Sequence, residues 1–386
     1  MTSAPQNPAT AEEILSWLAL RLIPGLGSRR ALQLLERFGS VQALFRAPAS
    51  ELMGDVVSAT VARAISGGHT FDEAVDQQTR ALGAGAAIIP FHDSRYPAML
   101  REIYDPPLLL FARGRTELLA TPMVAIVGSR RATPYGHAVA EKFGSDLAAR
   151  GVTVVSGMAR GIDTSAHQGA LETGGKTLAV FGCGVDLIYP AENRKLADRI
   201  ARDGLLLSEF PMATPAYPQN FPVRNRIVSG ISYGILVVEG AQYSGSSITA
   251  RLALDQDREV WAVPGNITSK MSWGPNLLIK QGAHLVQVVD DIIEALPLET
   301  RRHLAASDAN RGDPSGSQTE LPFGPMSAVC QQVLENLQVD KAVGLDELVE
   351  RVLDSSPSEI IAALFELELA GRVRQLPGKQ FVRIWT

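Results

Sequence analysis

The sequence predicts an α/β chain: a doubly wound, mostly parallel sheet between a small helical domain and a compact α/β tail. Three observations carry this expectation. Short runs rich in β-branched residues alternate with helix-length segments from residue 86 to about 296. The run at 123–127 ends in Gly128 and a polar turn, and the run at 152–155 in Ser156-Gly157. Outside that region the apolar residues recur at helical spacing instead.

The central region reads as strands at 86–90, 108–111, 123–127, 152–155, 177–181, 205–208, 235–239 and 260–263, most of them separated by helices. A further helix and strand between 276 and 286 would extend one edge. Connections of this length make an open, Rossmann-like sheet, whose ligands sit beyond the carboxyl ends of the strands. At the front, Leu15, Leu18, Ala19, Leu22 and Ile23 share one helical face, Pro24-Gly25-Leu26-Gly27 breaks the helix, and Leu32, Leu35 and Phe38 resume it. This is either a helix-hairpin-helix-like (SAM-like) unit touching a phosphate backbone or a helical domain that only packs. The expected organisation is a small helical domain at 1–80, the sheet domain at 81–297, a Gly/Pro/Ser/Asp-rich linker at 298–325 and a tail at 326–386. Three helical patterns and a hairpin around Pro377-Gly378 make that tail a winged-helix domain.

With 386 residues and 46% hydrophobic content, the chain has ample core for two or three domains. Its net charge of −5 means that any nucleic-acid contact must come from a local cluster of arginines. The two cysteines, Cys183 and Cys330, fall in different predicted domains, which points to a reducing compartment without disulfides. No signal-peptide pattern and no long apolar run occur, so the cytoplasm is the expected location, with no membrane contact.

Three stretches can carry chemistry. In Gly128-Ser129-Arg130-Arg131, free amides at a strand-to-helix turn suit an anion, and arginine adds a bidentate contact to phosphate. In the second stretch, Asn220, Phe221, Arg224, Asn225 and Arg226 fall within seven residues, cations for phosphates beside an aromatic platform for a base. There, Arg224 or Arg226 can instead pair with an acid such as Glu209 or Glu239. The third, Glu239 to Thr249, is Gly/Ser-rich, and Ser244, Gly245 and Ser246 would bring a second set of amides to the same crevice, with Ser246 or Ser247 as helix cap. The dinucleotide pattern G-x-G-x-x-G and a P-loop are both missing. Asp163 and His167 lie one helical turn apart. A nucleophile elbow and ligand partners for a metal are missing, so Asp163 is expected to cap its helix and bond His167.

Taken in order, V-A-I-V-G-S-R-R (124–131), S-G-M-A-R-G-I-D-T-S-A-H (156–167), F-G-C-G-V-D (181–186), S-E-F-P (208–211), N-F-P-V-R-N-R-I-V-S-G (220–230), V-V-E-G-A-Q-Y-S-G-S-S-I-T-A (237–250) and V-P-G-N (263–266) resemble the DprA/Smf family of bacterial DNA-processing proteins. The resemblance covers roughly residues 90–296. It implies a non-enzymatic homodimer that binds single-stranded DNA, protects incoming strands and loads the recombinase RecA during natural transformation and recombination, without metal or cofactor. Carried over by motif, the DNA pocket would use Gly128, Ser129, Arg130, Asn220, Phe221, Arg224 and Arg226. The family commonly has a lysine just before N-F-P-x-R-N-R; here Pro218-Gln219 stands there, and Lys280 is the candidate replacement. The rival reading is a nucleoside-monophosphate phosphoribohydrolase of the lysine-decarboxylase-like family, which also opens with a G-S-R turn. Its catalytic glutamate has no counterpart in E-G-A-Q-Y-S-G-S-S. A transcription regulator is a third reading. The tail's third helix is acidic, with Glu359, Glu366 and Glu368, which suits a protein contact or weak duplex binding better than a major groove.

Overall fold

The computed structural model describes residues 8–54, 56–242, 244–310, 327–339, 341–352, 355–369 and 371–384, the side chains of 307–310 and 369 excepted. Six helices come first: α1 (Ala11–Arg21), α2 (Ser28–Phe38), α3 (Val41–Arg46), α4 (Ala49–Leu52), α5 (Ala59–Ser66) and α6 (Phe71–Gly83). Thr10 and Glu13 form a reciprocal capping box at the start of α1, which satisfies amides the helix itself cannot.

Nine strands form the main sheet: β1 (Ala86–Pro90), β2 (Leu109–Gly114), β3 (Met123–Val127), β4 (Thr153–Ser156), β5 (Thr177–Val180), β6 (Leu205–Ser208), β7 (Gly234–Val237), β8 (Glu259–Ala262) and β9 (His284–Leu285). Between them lie α7 (Ala98–Arg101), α8 (Pro134–Ala149), α9 (Ile162–Glu172), α10 (Arg194–Asp203), α11 (Asn220–Gly230), α12 (Gly245–Asp255) and α13 (Trp273–Lys280). The spatial order is β1-β2-β6-β5-β4-β3-β7-β8-β9. From β6 to β9 every pairing is parallel, while β1 and β2 add an antiparallel edge.

Alternation along the strands separates two faces, because successive side chains point to opposite sides. Val124, Ile126, Val154 and Leu236 face Val139 and Phe143 of α8 and Ile162 and Ala166 of α9. Ala125, Val127, Val155 and Val237 face Ile227 and Val228 of α11 and Ala250 and Ala253 of α12. Helices on both faces make the fold doubly wound, as expected. The N-terminal helices share one hydrophobic cluster with the sheet, through Ile88, Leu109, Phe111 and Leu206. Gln77 of α6 strengthens the join: its Oε1 accepts from Met212 N at 2.7 Å and its Nε2 donates to Met212 O at 3.4 Å.

After α14 (Val289–Ala295), α15 (Leu298–Asn310) is helical where the composition reads as linker. Its Leu304 is buried against the sheet domain and its Thr300 hydroxyl donates to Tyr233 Oη at 3.0 Å, so tertiary contact overrides a polar sequence. The rest of the expected linker, 311–325, lies outside the described residues. The tail comprises α16 (Ala328–Asn336), β10 (Val343–Gly344), α17 (Leu345–Arg351), α18 (Pro357–Leu369), β11 (Val373–Leu376) and β12 (Gln380–Arg383). Its sheet order, β10-β12-β11, and its own core around Val333, Leu348, Ile360 and Leu364 match the winged helix read from the sequence.

Candidate nucleic-acid interface

The strand order reverses at β3, which pairs with β4 on one side and β7 on the other. At such a reversal the connections leave toward opposite faces and open a crevice beyond the carboxyl ends of the strands. Here it is a cavity of about 360 Å³, lined by Gly128, Ser129, Arg130, Gly157, Asp163, Arg224, Asn225, Ser244, Gly245 and Ser246. Three turns separated by up to 118 positions thus share one site.

The turn after β3 is braced from below. Thr133 caps α8 through Gly136 N, and its own amide and hydroxyl donate to the two oxygens of Glu239 at 2.9 and 2.5 Å. Glu239, at the end of β7, is 2% exposed, so both carboxylate oxygens are consumed in holding the turn. Ser129 Oγ accepts from Arg131 N, and Ser129 O accepts from Ile162 N at the start of α9. A side chain at Gly161, whose φ is +73°, would collide with Ser129 O, which explains the glycine there.

The arginines divide into different roles. Arg130 is exposed at the rim, its guanidinium carbon 5.4 Å from the Phe221 ring centroid, a cation–π contact. The Phe221 ring lies 5.5 Å from that of Tyr189. Among the described residues no carboxylate pairs with Arg130. Arg131 is exposed beside it but does not line the cavity.

Arg224 is 4% exposed and forms the floor. Its Nη1 donates to Gly157 O at 2.6 Å and to Val180 O, and its Nε to Asn225 Oδ1 at 3.2 Å. Burial lowers its pKa to about 10, opposed by the charge of Asp163. A Cβ at Gly157 would fall onto its guanidinium. Nη1 and Nε thus hold the ends of β4 and β5 and Asn225, while the guanidinium also lines the crevice and gives it positive charge.

Arg226 does not line this crevice. Its Nη2 donates to Glu209 at 2.5 Å and its Nε lies 3.5 Å from Asp105, in a different cleft on the opposite side of α11. The alternative pairing with Glu209 is the one found, because residues 225 and 226 differ by about 100° around a helix. Asn220 is buried and donates to Gly182 O and Pro215 O, so it pins loops. Lys280 is exposed at the end of α13 and does not line the crevice, so nothing in the geometry makes it the replacement for a pocket lysine. At the head of α12 the N-cap is Ser244, not Ser246 or Ser247. Its hydroxyl lies 2.7 Å from Ser246 Oγ and caps no amide.

Asp163 Oδ2 accepts from Gly157 N and Ala159 N, ordering the loop after β4. Burial raises its pKa, with Arg224 and these amides opposing. The expected Asp163–His167 bond is not formed. His167 Nδ1 lies 2.6 Å from Thr177 Oγ1, whose hydroxyl donates to Val154 O at 2.7 Å, so the ring donates through Nδ1. Full burial, with Arg224 nearby, lowers its pKa to about 3. Ser156 Oγ donates to Ile126 O, which leaves it no role as a nucleophile. Sequence reasoning missed the Thr133–Glu239 brace and Tyr189. An acid at a strand end was the available signal for the first; Tyr189-Pro190, three residues after F-G-C-G-V-D, was the signal for the second.

Residues 87–297 match the model of the family described as DNA recombination-mediator protein A, and residues 319–379 match a DprA winged helix domain. Protein Smf of Escherichia coli is 41% identical over 292 residues, covering 75% of this chain and 76% of the relative. DNA processing protein DprA of Bacillus subtilis is 44% identical over 214 residues, 55% of this chain and 72% of that protein. The X-ray structure of DNA processing protein A from Streptococcus pneumoniae superposes with a TM-score of 0.63 at 35% identity, covering 75% of this chain and 99% of that one.

Proposed function

Because this chain belongs to the DNA recombination-mediator protein A (DprA/Smf) family, we propose that it binds single-stranded DNA in the crevice between β3 and β7. There it would protect the strand and load RecA onto it in natural transformation and recombination. It would act in the cytoplasm as a homodimer, without catalysis, metal or cofactor. The observation that carries the reading is Arg130, exposed at the rim against Phe221 and without a carboxylate partner among the described residues, above the crevice where three turns meet. Phosphate enters the crevice, Arg130 neutralises it, and the Phe221–Tyr189 pair takes the neighbouring base by stacking. Duplex DNA keeps its bases stacked internally and gives that platform nothing.

The phosphoribohydrolase reading needs a free carboxylate at this edge. Glu239 and Asp163 stand at this edge, but both oxygens of Glu239 are held by Thr133, and Asp163 Oδ2 by the Gly157 and Ala159 amides. That supports binding over hydrolysis. No helix among the described residues is long and apolar enough to cross a membrane.

The test has two readouts. In competition, single-stranded oligonucleotide should displace a labelled strand at far lower concentration than duplex of the same sequence. RecA ATPase on a strand coated with single-strand-binding protein should rise on addition of this protein. Equal competition by duplex would remove the single-strand reading; no change in RecA turnover would remove the loading role alone.

A further inference from the structure

We propose that the cleft between the N-terminal helices and α11 is a second nucleic-acid site, which receives the backbone of the same strand after it leaves the crevice; the inference rests on the single-strand reading above. The cleft is a cavity of about 550 Å³. Arg21, Arg29, Arg30 and Arg226 line it, against Asp105 and Glu209. Four guanidiniums facing two carboxylates leave a local positive excess on a chain whose net charge is −5, and phosphate affinity follows the local balance.

Two further observations point to an anionic, base-bearing ligand. First, α2 opens with Ser28-Arg29-Arg30, has no acid in its first turn and no side-chain cap at Gly27. Cations at the positive end of a helix dipole are unfavourable, so this arrangement costs the free protein stability that an anion at the same place would restore. Second, the Arg29 guanidinium carbon lies 4.0 Å from the centroid of the Tyr104 ring, and Tyr104 is 73% exposed. An exposed aromatic held by an arginine repeats the Arg130–Phe221 pairing at the crevice.

Helix α11 joins the two sites. Asn225 lines the crevice, and Phe221, one turn earlier, meets Arg130 at its rim; Val223 and Arg226, three residues apart, line the cleft. A strand passing from one to the other crosses a single helix, about 10 Å.

The test uses the full chain and thymidine oligonucleotides of about 6 and about 20 residues, one near the short end of common single-strand site sizes and one beyond the long end. Arg29 and Arg30 are exposed and oppose the α2 dipole, so R29A/R30A should melt no lower than wild type. It should bind the long oligonucleotide about tenfold more weakly and the short one unchanged, with the salt slope reduced by about 1.4 for two lost phosphate contacts. Tyr104→Ala should give the same length-dependent loss without the change in salt slope. Wild-type affinity of both variants for both lengths, or an equal loss at both lengths, would overturn the second site. Arg130→Ala separates the two readings: it should weaken both lengths. If it weakens neither while R29A/R30A still discriminates, the crevice reading fails and the cleft stands.

Discussion

Arg130 and Arg224 line one crevice, Arg226 lines the cleft on the other side of α11, and the three do different things. Arg130 is exposed and stacked, Arg224 is a buried cross-brace, and Arg226 is paired with Glu209 behind the helix. Charge alone did not separate them in the sequence; burial does. Arg224 donates to carbonyls at the ends of two parallel strands and offsets the buried Asp163. Arg224→Met should therefore lower stability in urea by about 3–5 kcal/mol, because it strands a buried carboxylate and two carbonyls. Arg224→Lys should recover little of this, since one ammonium cannot span the fork of contacts. A loss below about 1 kcal/mol for the methionine variant, within the range of surface substitutions, would show that the brace is not structural.

At the scale of elements, the turns explain how distant motifs become one site. The turn after β3 was legible because a β-branched run ending in Gly128 and a polar stretch admits few conformations. The head of α12 was legible for the same reason. Which face of α11 each residue takes was not, since Asn220 to Gly230 has no clean apolar stripe and both its sides are lined. The join between α9, β5 and β4 was also hidden, because His167, Thr177 and Val154 are linked by hydrogen bonds that no spacing announces. That join titrates. Folded His167 stays neutral to about pH 3, while the unfolded residue takes up its proton near 6.5. Between those values the unfolded chain binds the extra proton, so stability is full above pH 6.5 and falls as pH falls, by up to about 1.4 kcal/mol per unit from this group. Unfolding free energy measured from pH 7 to 5 should show this slope, and His167→Asn should flatten it. Equal slopes in the two proteins would mean that His167 is protonated in the folded state.

At the scale of the molecule, the doubly wound sheet was readable because seven parallel strands alternate with helices in sequence as they do in space. The depth of the join between the N-terminal helices and the sheet was not. Leu18, Leu20 and Leu34 share a cluster with Phe111 and Leu206, and helical period says nothing about what a face meets. Likewise α15 has a linker's composition but a helix's contacts. With a net charge of −5, the whole chain repels a polyanion at long range, so binding depends on a few oriented cations. The central claim is that Arg130 at the β3–β7 crevice is one of them. Its direct test is the affinity of Arg130→Ala for a short single strand across a salt series. The account predicts a loss of about 1.5–3 kcal/mol, the worth of a hydrogen bond to a charged group, and a salt slope smaller by about 0.7, that of one phosphate. Wild-type affinity with an unchanged slope would contradict it.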